Sequence, residues 1–218
     1  MTGLKSAGIG MFAAGMMIIT AGCGSGGTQV RVMNAIDGES TVSMQIDNNN
    51  LASGVAFGTA SSYGSVSSGS HTLEIQAANA PLFNQSITLS GDSNNTVLAT
   101  DAGPTVLSDN KSTPSSGDIQ IRAVNASTAL GNTDVYIVAP GTDISTVNAT
   151  ISALAFRTAS GYQTVAAGSY VVEFTQTGSK VVVFSTSALS FSAGQIRTVV
   201  ALDNPSGGFS TAVLSDLN

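Results

Sequence analysis

The sequence predicts an all-β chain: two tandem β-sandwich domains behind a short apolar leader. Three observations carry that prediction. Apolar and polar residues alternate in short runs broken by turn residues, the order of those runs repeats once, and charged residues are only 9% of the chain. Ordinary soluble proteins carry roughly 25% charge. Here Ser, Thr, Gly and Asn take the place of Glu, Lys and Arg, an exchange that suits strands and tight turns and disfavours surface helices. Hydrophobic residues make up 42% of 218 residues, enough for two cores of ordinary size.

The leader comes first. Met1 to Lys5 holds one positive charge, and Ala7 to Thr20 (AGIGMFAAGMMIIT) is an unbroken run of small and apolar residues. A membrane-spanning helix needs about 20 such residues, and this run is shorter, the size of a signal-peptide core. It meets Thr20-Ala21-Gly22-Cys23, followed by Gly24-Ser25-Gly26-Gly27. Small residues fit a peptidase groove, and the thiol after them is a nucleophile that can take a diacylglycerol. The segment resembles the lipobox of bacterial lipoproteins, with Thr20 where Leu, Val or Ile is usual. The resemblance implies cleavage between Gly22 and Cys23 and a lipid on Cys23. The single cysteine agrees, since an exported chain with one thiol has no disulfide framework. Gly24 is not Asp, so inner-membrane retention is not signalled, and residues 23–28 read as a lipidated tether. The expected location is the cell envelope, anchored at the outer membrane.

The repeat organises the remainder. Gln29-Val30-Arg31-Val32-Met33-Asn34-Ala35 recurs as Gln120-Ile121-Arg122-Ala123-Val124-Asn125-Ala126. Val55 to Tyr63 (VAFGTASSY) recurs as Leu154 to Tyr162 (LAFRTASGY), and Val66 to Ser70 as Val165 to Ser169. Thr96-Val97-Leu98-Ala99 pairs with Thr198-Val199-Val200-Ala201, and Val106-Leu107-Ser108-Asp109 with Val213-Leu214-Ser215-Asp216. The expected organisation is a signal peptide over residues 1–22, the tether over 23–28, domain 1 over 29–109, a polar linker over 110–117 and domain 2 over 118–218.

Within the copies the strand signals are Gln29–Met33, Thr41–Ile46, His71–Ala77 and Ser86–Leu89, then Asp134–Val138, Ser169–Phe174, Lys180–Phe184 and Arg197–Leu202. Turn chemistry separates them at Asp47 to Asn50, Ser68-Gly69, Gly91-Asp92, Ala139 to Gly141 and Ala193-Gly194. About seven short strands per copy is the pattern of an immunoglobulin-like sandwich. The unit V-R-V-x-N-A, A-F-x-T-A-S-x-Y, V-x-x-G-S, T-V-x-A resembles a bacterial domain-of-unknown-function family, DUF4397. That resemblance implies a β-sandwich in exported proteins and brings no catalytic residues.

The chemistry-bearing residues are few. His71 is the only histidine, and Tyr170 takes its place in the second copy, so it reads as a strand residue and not as part of a triad. One His and one acylated Cys cannot furnish a zinc site. Asp37, Glu39, Asp47 and Asp92 lie in or near turns without calcium-loop spacing, and Glu74 and Glu173 match across copies but give one acid per domain. No cofactor is expected. Arg31 and Arg122 match across copies, and strand alternation would put them on a solvated face, paired to an acid such as Asp101 or Asp203. Tyr63 and Tyr162 would pin backbone, and Phe57 and Phe156 would be core.

The formal charge is −6, or −7 once Lys5 is removed with the leader (six basic, thirteen acidic residues). Without a basic run the footprint of nucleic-acid binding is missing. The expected partners are the membrane, through the lipid on Cys23, and an envelope protein or polysaccharide. The reading is a non-catalytic surface module, the alternative being a carbohydrate-active enzyme or its accessory. Thr142 to Ala153, longer in copy two and carrying Asp143 and Asn148, is the expected contact loop.

Overall fold

The structure, a computed structural model, describes residues 27–78 and 80–217. The leader, Gly22 and Cys23 lie outside the described residues. The remainder is all-β, and a single 3₁₀ turn at Ile144–Thr146 is its helical part.

In the first sandwich β1 (Thr28–Ala35), β4 (Gly64–Val66), β7 (Asn94–Thr100) and β8 (Gly103–Asp109) form one sheet in the order β4-β1-β7-β8. Its partner sheet holds β2 (Thr41–Ile46), β3 (Asn49–Ala56), β5 (Gly69–Ala77) and β6 (Ala80–Leu89) in the order β3-β2-β5-β6. The second sandwich repeats the scheme. β9 (Asp118–Asn125), β12 (Thr158–Ala159), β13 (Gln163–Ala166), β17 (Ile196–Asp203) and β18 (Phe209–Leu217) make one sheet. β10 (Thr133–Val138), β11 (Ile151–Leu154), β14 (Gly168–Gln176), β15 (Val182–Ser185) and β16 (Leu189–Phe191) make the other. In both copies the first strand runs parallel to the penultimate long one, Gln29 opposite Asn94 and Gln120 opposite Ile196. The other pairings are antiparallel.

Alternation decides which side chains enter each core. Val30 and Val32 of β1 meet Met44, Leu73 and Ile75 of the facing sheet, all buried. Ile119, Ile121 and Val199 meet Val135, Val172 and Phe174 in the second copy. Burying such a side chain contributes about 1.5–3 kcal/mol. The repeated Asn is explained by a loop it ties down. Asn34 Nδ2 donates to the carbonyls of Glu39 and Val55 while its Oδ1 accepts from Ile36 N. Asn125 does the same with Gly131, Leu154 and Ser127.

Two local readings change. Asp47 and Asn48, with φ of 50° and 63°, form a two-residue hairpin turn, so Asn49 and Asn50 already belong to β3. The strand expected from Lys180 begins at Val182, because Lys180 is drawn aside to the loop before β11.

The outer faces of the β1 and β9 sheets are covered. Met33, Ala35, Leu98 and Leu107 pack against Val124, Ala126, Val200, Leu202, Ala212 and Leu214 in a third apolar cluster. The molecule is therefore four sheets deep, with three cores. This explains why β1, β7, β9 and β17 are buried on both faces, as the sequence of an inner layer requires.

Candidate functional site

The side chains shared by the two copies converge on that middle layer. Arg31 and Arg122 are 4% and 2% exposed, not solvated as alternation suggested, because the face they occupy belongs to the interface. Neither meets Asp101 or Asp203. Arg31 Nη2 donates to Asp216 at the far end of the chain, and Arg122 Nη2 donates to Asp109. Asp203 instead accepts from Ser127 Oγ and Thr128, and Asp101 accepts weakly from Asp37 N.

Each contact occurs twice with the copies exchanged. Arg31 Nη1 donates to the Ser215 carbonyl at 2.7 Å, and Arg122 Nη1 to the Ser108 carbonyl at 2.8 Å. Arg31 Nε donates to Thr96 Oγ1, which donates to Asp109 Oδ2 at 2.6 Å. Arg122 Nε donates to Thr198 Oγ1, which donates to Asp216 Oδ2 at 2.5 Å. Tyr63 Oη donates to Asp109 at 2.6 Å and Tyr162 Oη to Asp216 at 2.7 Å, so both tyrosines hold carboxylates, and Tyr162 Oη also pins backbone as expected, accepting from Asn110 N at 3.3 Å. Each guanidinium also lies over its own copy's tyrosine, 4.4 Å and 4.8 Å from the ring centres. Burial pushes both phenols well above the ordinary tyrosine range, with the neighbouring carboxylates adding to it.

Two arginines and two aspartates make this cluster neutral, and every carboxylate accepts three hydrogen bonds. Contacts in which residue i meets j and j meets i are those of an isologous interface. The arginine, tyrosine and closing aspartate that the copies have in common are thus spent on clamping them together. Phe57 joins the clamp's apolar rim, whereas Phe156 is half-buried outside all three cores and is not the core residue expected.

The remaining candidates are placed as follows. His71 is 7% exposed in β5; its Nδ1 lies 2.7 Å from Asp47 and its Nε2 2.9 Å from the Ser67 carbonyl. Tyr170, its counterpart, bonds the matching Ala166 carbonyl at 2.7 Å, so both residues serve one structural bond. Asp143 is exposed but caps the 3₁₀ turn, accepting from Ser145 N at 2.9 Å, and hydrogen bonding from the Ser145 side chain, then from its N–H, holds the carboxyl below the usual range. Asn148 is exposed five residues on. Lys180 fixes this loop, donating to the Ile144 and Val147 carbonyls and lying 4.7 Å from the Tyr136 ring centre. Asp92 pairs with Lys111 at 2.5 Å. Among the described residues no three His, Cys, Asp or Glu side chains gather as a metal site would require.

Two matched surface grooves flank the clamp. One of about 490 Å³ lies between Gly58–Tyr63 and Val213–Ser215 of β18. The other, about 480 Å³, lies between Arg157–Tyr162 and Thr105–Ser108 of β8. Each borrows its A-F-x-T-A-S-x-Y segment from one copy and its wall from the other, so neither exists in a lone domain. Sequence reasoning found both segments but had no means of bringing them together.

No curated protein matches the chain. Among solved structures it is similar to a family 26 carbohydrate-binding module of Eubacterium rectale Amy13K in complex with maltoheptaose, at 10% identity over 88% of this chain and 97% of that one, with a TM-score of 0.27. It is also similar to a streptococcal virulence factor described as binding α-glucan, at 10% identity over 85% and 97% of the two chains, with a TM-score of 0.26. A glycogen-degrading pneumococcal virulence factor, SpuA, matches at 9% identity over 87% of this chain and 22% of its own, with a TM-score of 0.27. Likenesses this distant bear on neither ligand nor site. The sequence family is another matter: the model of a domain of unknown function, DUF4397, matches residues 28–136 and 138–218, and the chain belongs to that family.

Proposed function

We propose that the protein is a non-catalytic binding module of the cell envelope, tethered by a lipid on Cys23 at the outer membrane and presenting two clamped sandwiches to an envelope protein or polysaccharide. One observation carries the reading: the arginine, tyrosine and closing aspartate that the two copies share are consumed by the clamp. Arg31, Arg122, Tyr63, Tyr162, Asp109 and Asp216 satisfy one another and leave no reactive group facing a substrate. Recognition then falls to features that differ between the copies, above all the Thr142–Ala153 loop, which Lys180 holds in one shape.

The test is a pull-down from native envelopes with the mature chain beside a chain lacking the part of this loop before β11, Thr142–Ala149. The expected result is a specific partner captured by the first and lost by the second, with the far-ultraviolet spectrum unchanged. Turnover of an envelope glycan by the purified chain would refute the non-catalytic reading. Cys23→Ser tests the anchor separately: it should abolish incorporation of labelled fatty acid and move the protein to the soluble fraction, and unchanged membrane association would exclude the lipid.

A further inference from the structure

The two grooves match in size, and of the two positions at which their A-F-x-T-A-S-x-Y linings differ, Ser62 against Gly161 and Gly58 against Arg157, only the second changes charge. Where the first has Gly58 at φ 72°, the second has Arg157 at φ 62°, a left-handed conformation that side chains with a Cβ adopt at a cost. Strained residues of this kind concentrate at functional sites. Arg157 is also poorly matched for a half-buried arginine. Its Nη2 reaches across the interface to the Pro104 carbonyl at 3.2 Å, and its buried Nε has no partner. Among the described residues no carboxylate oxygen lies within 4.0 Å of it, although the chain has thirteen acids and only seven basic residues. The clamp arginines beside it are fully engaged. A buried donor without a protein partner, on a strained residue that lines a groove, marks a place able to take a ligand group.

The geometry points to a carboxylate-binding site in the groove between Arg157–Tyr162 and β8, and its occupant is an acidic sugar. This rests on the reading of the protein as an envelope-binding module. The planar guanidinium fork takes a carboxylate through two parallel bonds. One uncommitted cation suits a single negative charge, whereas phosphate groups are ordinarily met by clusters of arginines. An extended peptide is disfavoured because the exposed edge of β8 is blunted. Pro104 has no N–H, its carbonyl is taken by Arg157 and Gln85, and the Ser108 carbonyl is taken by Arg122. What remains is an open trough with aliphatic walls from Val106, Leu107 and Ala159, able to receive a sugar ring beside the cation. The first groove has glycine at the matching position and serves as the internal control.

The experiment is a calorimetric titration of the mature chain with an oligogalacturonate, its methyl ester, inorganic phosphate and a short peptide with a free C-terminus. Arg157→Gly, which restores the residue found at the matched position, is titrated in parallel. The expected result is binding of the oligogalacturonate that falls at least about tenfold for the ester and for Arg157→Gly, the size of effect a charge-assisted bond confers. The melting temperature of Arg157→Gly should be unchanged or higher, since strain is relieved, so the loss cannot be laid to unfolding. Undiminished binding by Arg157→Gly, equal binding of the ester, no binding of the oligogalacturonate, or tighter binding of phosphate or peptide would each overturn the assignment. The same variant in the envelope pull-down separates the two readings: a partner still captured leaves the binding module standing and removes the sugar site alone.

Discussion

Replacing Asp216 by Asn tests the clamp most directly, because it removes the charge while keeping the shape and one of the two acceptor oxygens. Asp216 and Arg31 have side chains 0% and 5% exposed, so the arginine would be left in a water-poor site. Removing one partner of a buried pair typically costs about 3–5 kcal/mol. Asp109 Oδ2 lies 3.9 Å from Arg31 Nη2 and recovers part of that, which places the expected loss near the lower end, about 3 kcal/mol. A chain of this size loses about 2–4 °C per kcal/mol, so the melting temperature should fall by roughly 6–12 °C. Arg31→Met removes the other partner and should cost a similar amount. The double variant should cost at least about 1 kcal/mol less than the sum, since no unpaired charge remains. Urea titration followed by far-ultraviolet dichroism reads all three, tryptophan being absent. Single losses under about 1 kcal/mol, or strict additivity, would refute a coupled buried pair. The mirror set, Asp109→Asn with Arg122→Met, should behave alike, and a loss confined to one set would refute the two-fold equivalence.

Other consequences can be checked more briefly. The Asp47 hydrogen bond, opposed by burial, raises the pKa of His71 above 6.5. Its stabilisation is therefore complete below about pH 6.5 and lost as pH rises through the raised value. Melting temperature should fall with rising pH across that window in the wild type and stay flat in His71→Asn, and parallel profiles would reject the linkage. Tyr63→Phe and Tyr162→Phe each remove a hydrogen bond to a buried carboxylate. Each should cost about 1.5–3 kcal/mol in urea, and a negligible loss would show that Thr96 and Thr198 suffice. Phe174, fully buried at the centre of the second core, should cost about 3–5 kcal/mol as Ala, and a small effect would mean that the core collapses around it.

The strands were legible because period-two alternation is a local signal, and each expected run lies within or overlaps an observed strand. The clamp was not, since nothing in a strand's own pattern says what lies beyond its outer face. A trace was present even so. Along β1 the odd positions carry Arg31, Met33 and Ala35, and two apolar residues in line with an arginine describe a covered face better than a wet one. The partner acids were equally visible, as Asp109 and Asp216 closing the last repeated block. They went unpaired because Arg31 and Asp216 are 185 residues apart, a separation over which sequence spacing says nothing of proximity. Arg157 is one of the positions at which the repeated segments differ, and in the structure its φ and its unpaired Nε distinguish it.

The parallel pairing of first and penultimate strands has a kinetic side. β1 cannot find its parallel neighbour until Asn94 to Thr100 have been made, some 65 residues later, and β9 waits for Ile196 to Ala201. Contacts this remote in sequence make nucleation slow, because a long loop must be closed before any reward is collected. A chain emerging from its N-terminus therefore passes through a stage in which β1 has β4 on one edge and its other edge unpaired. The last knot, Arg31 on Asp216, ties only when the penultimate described residue is in place. Closure of the four-layered body thus waits for β18, and the opening of that body should be correspondingly slow and all-or-none.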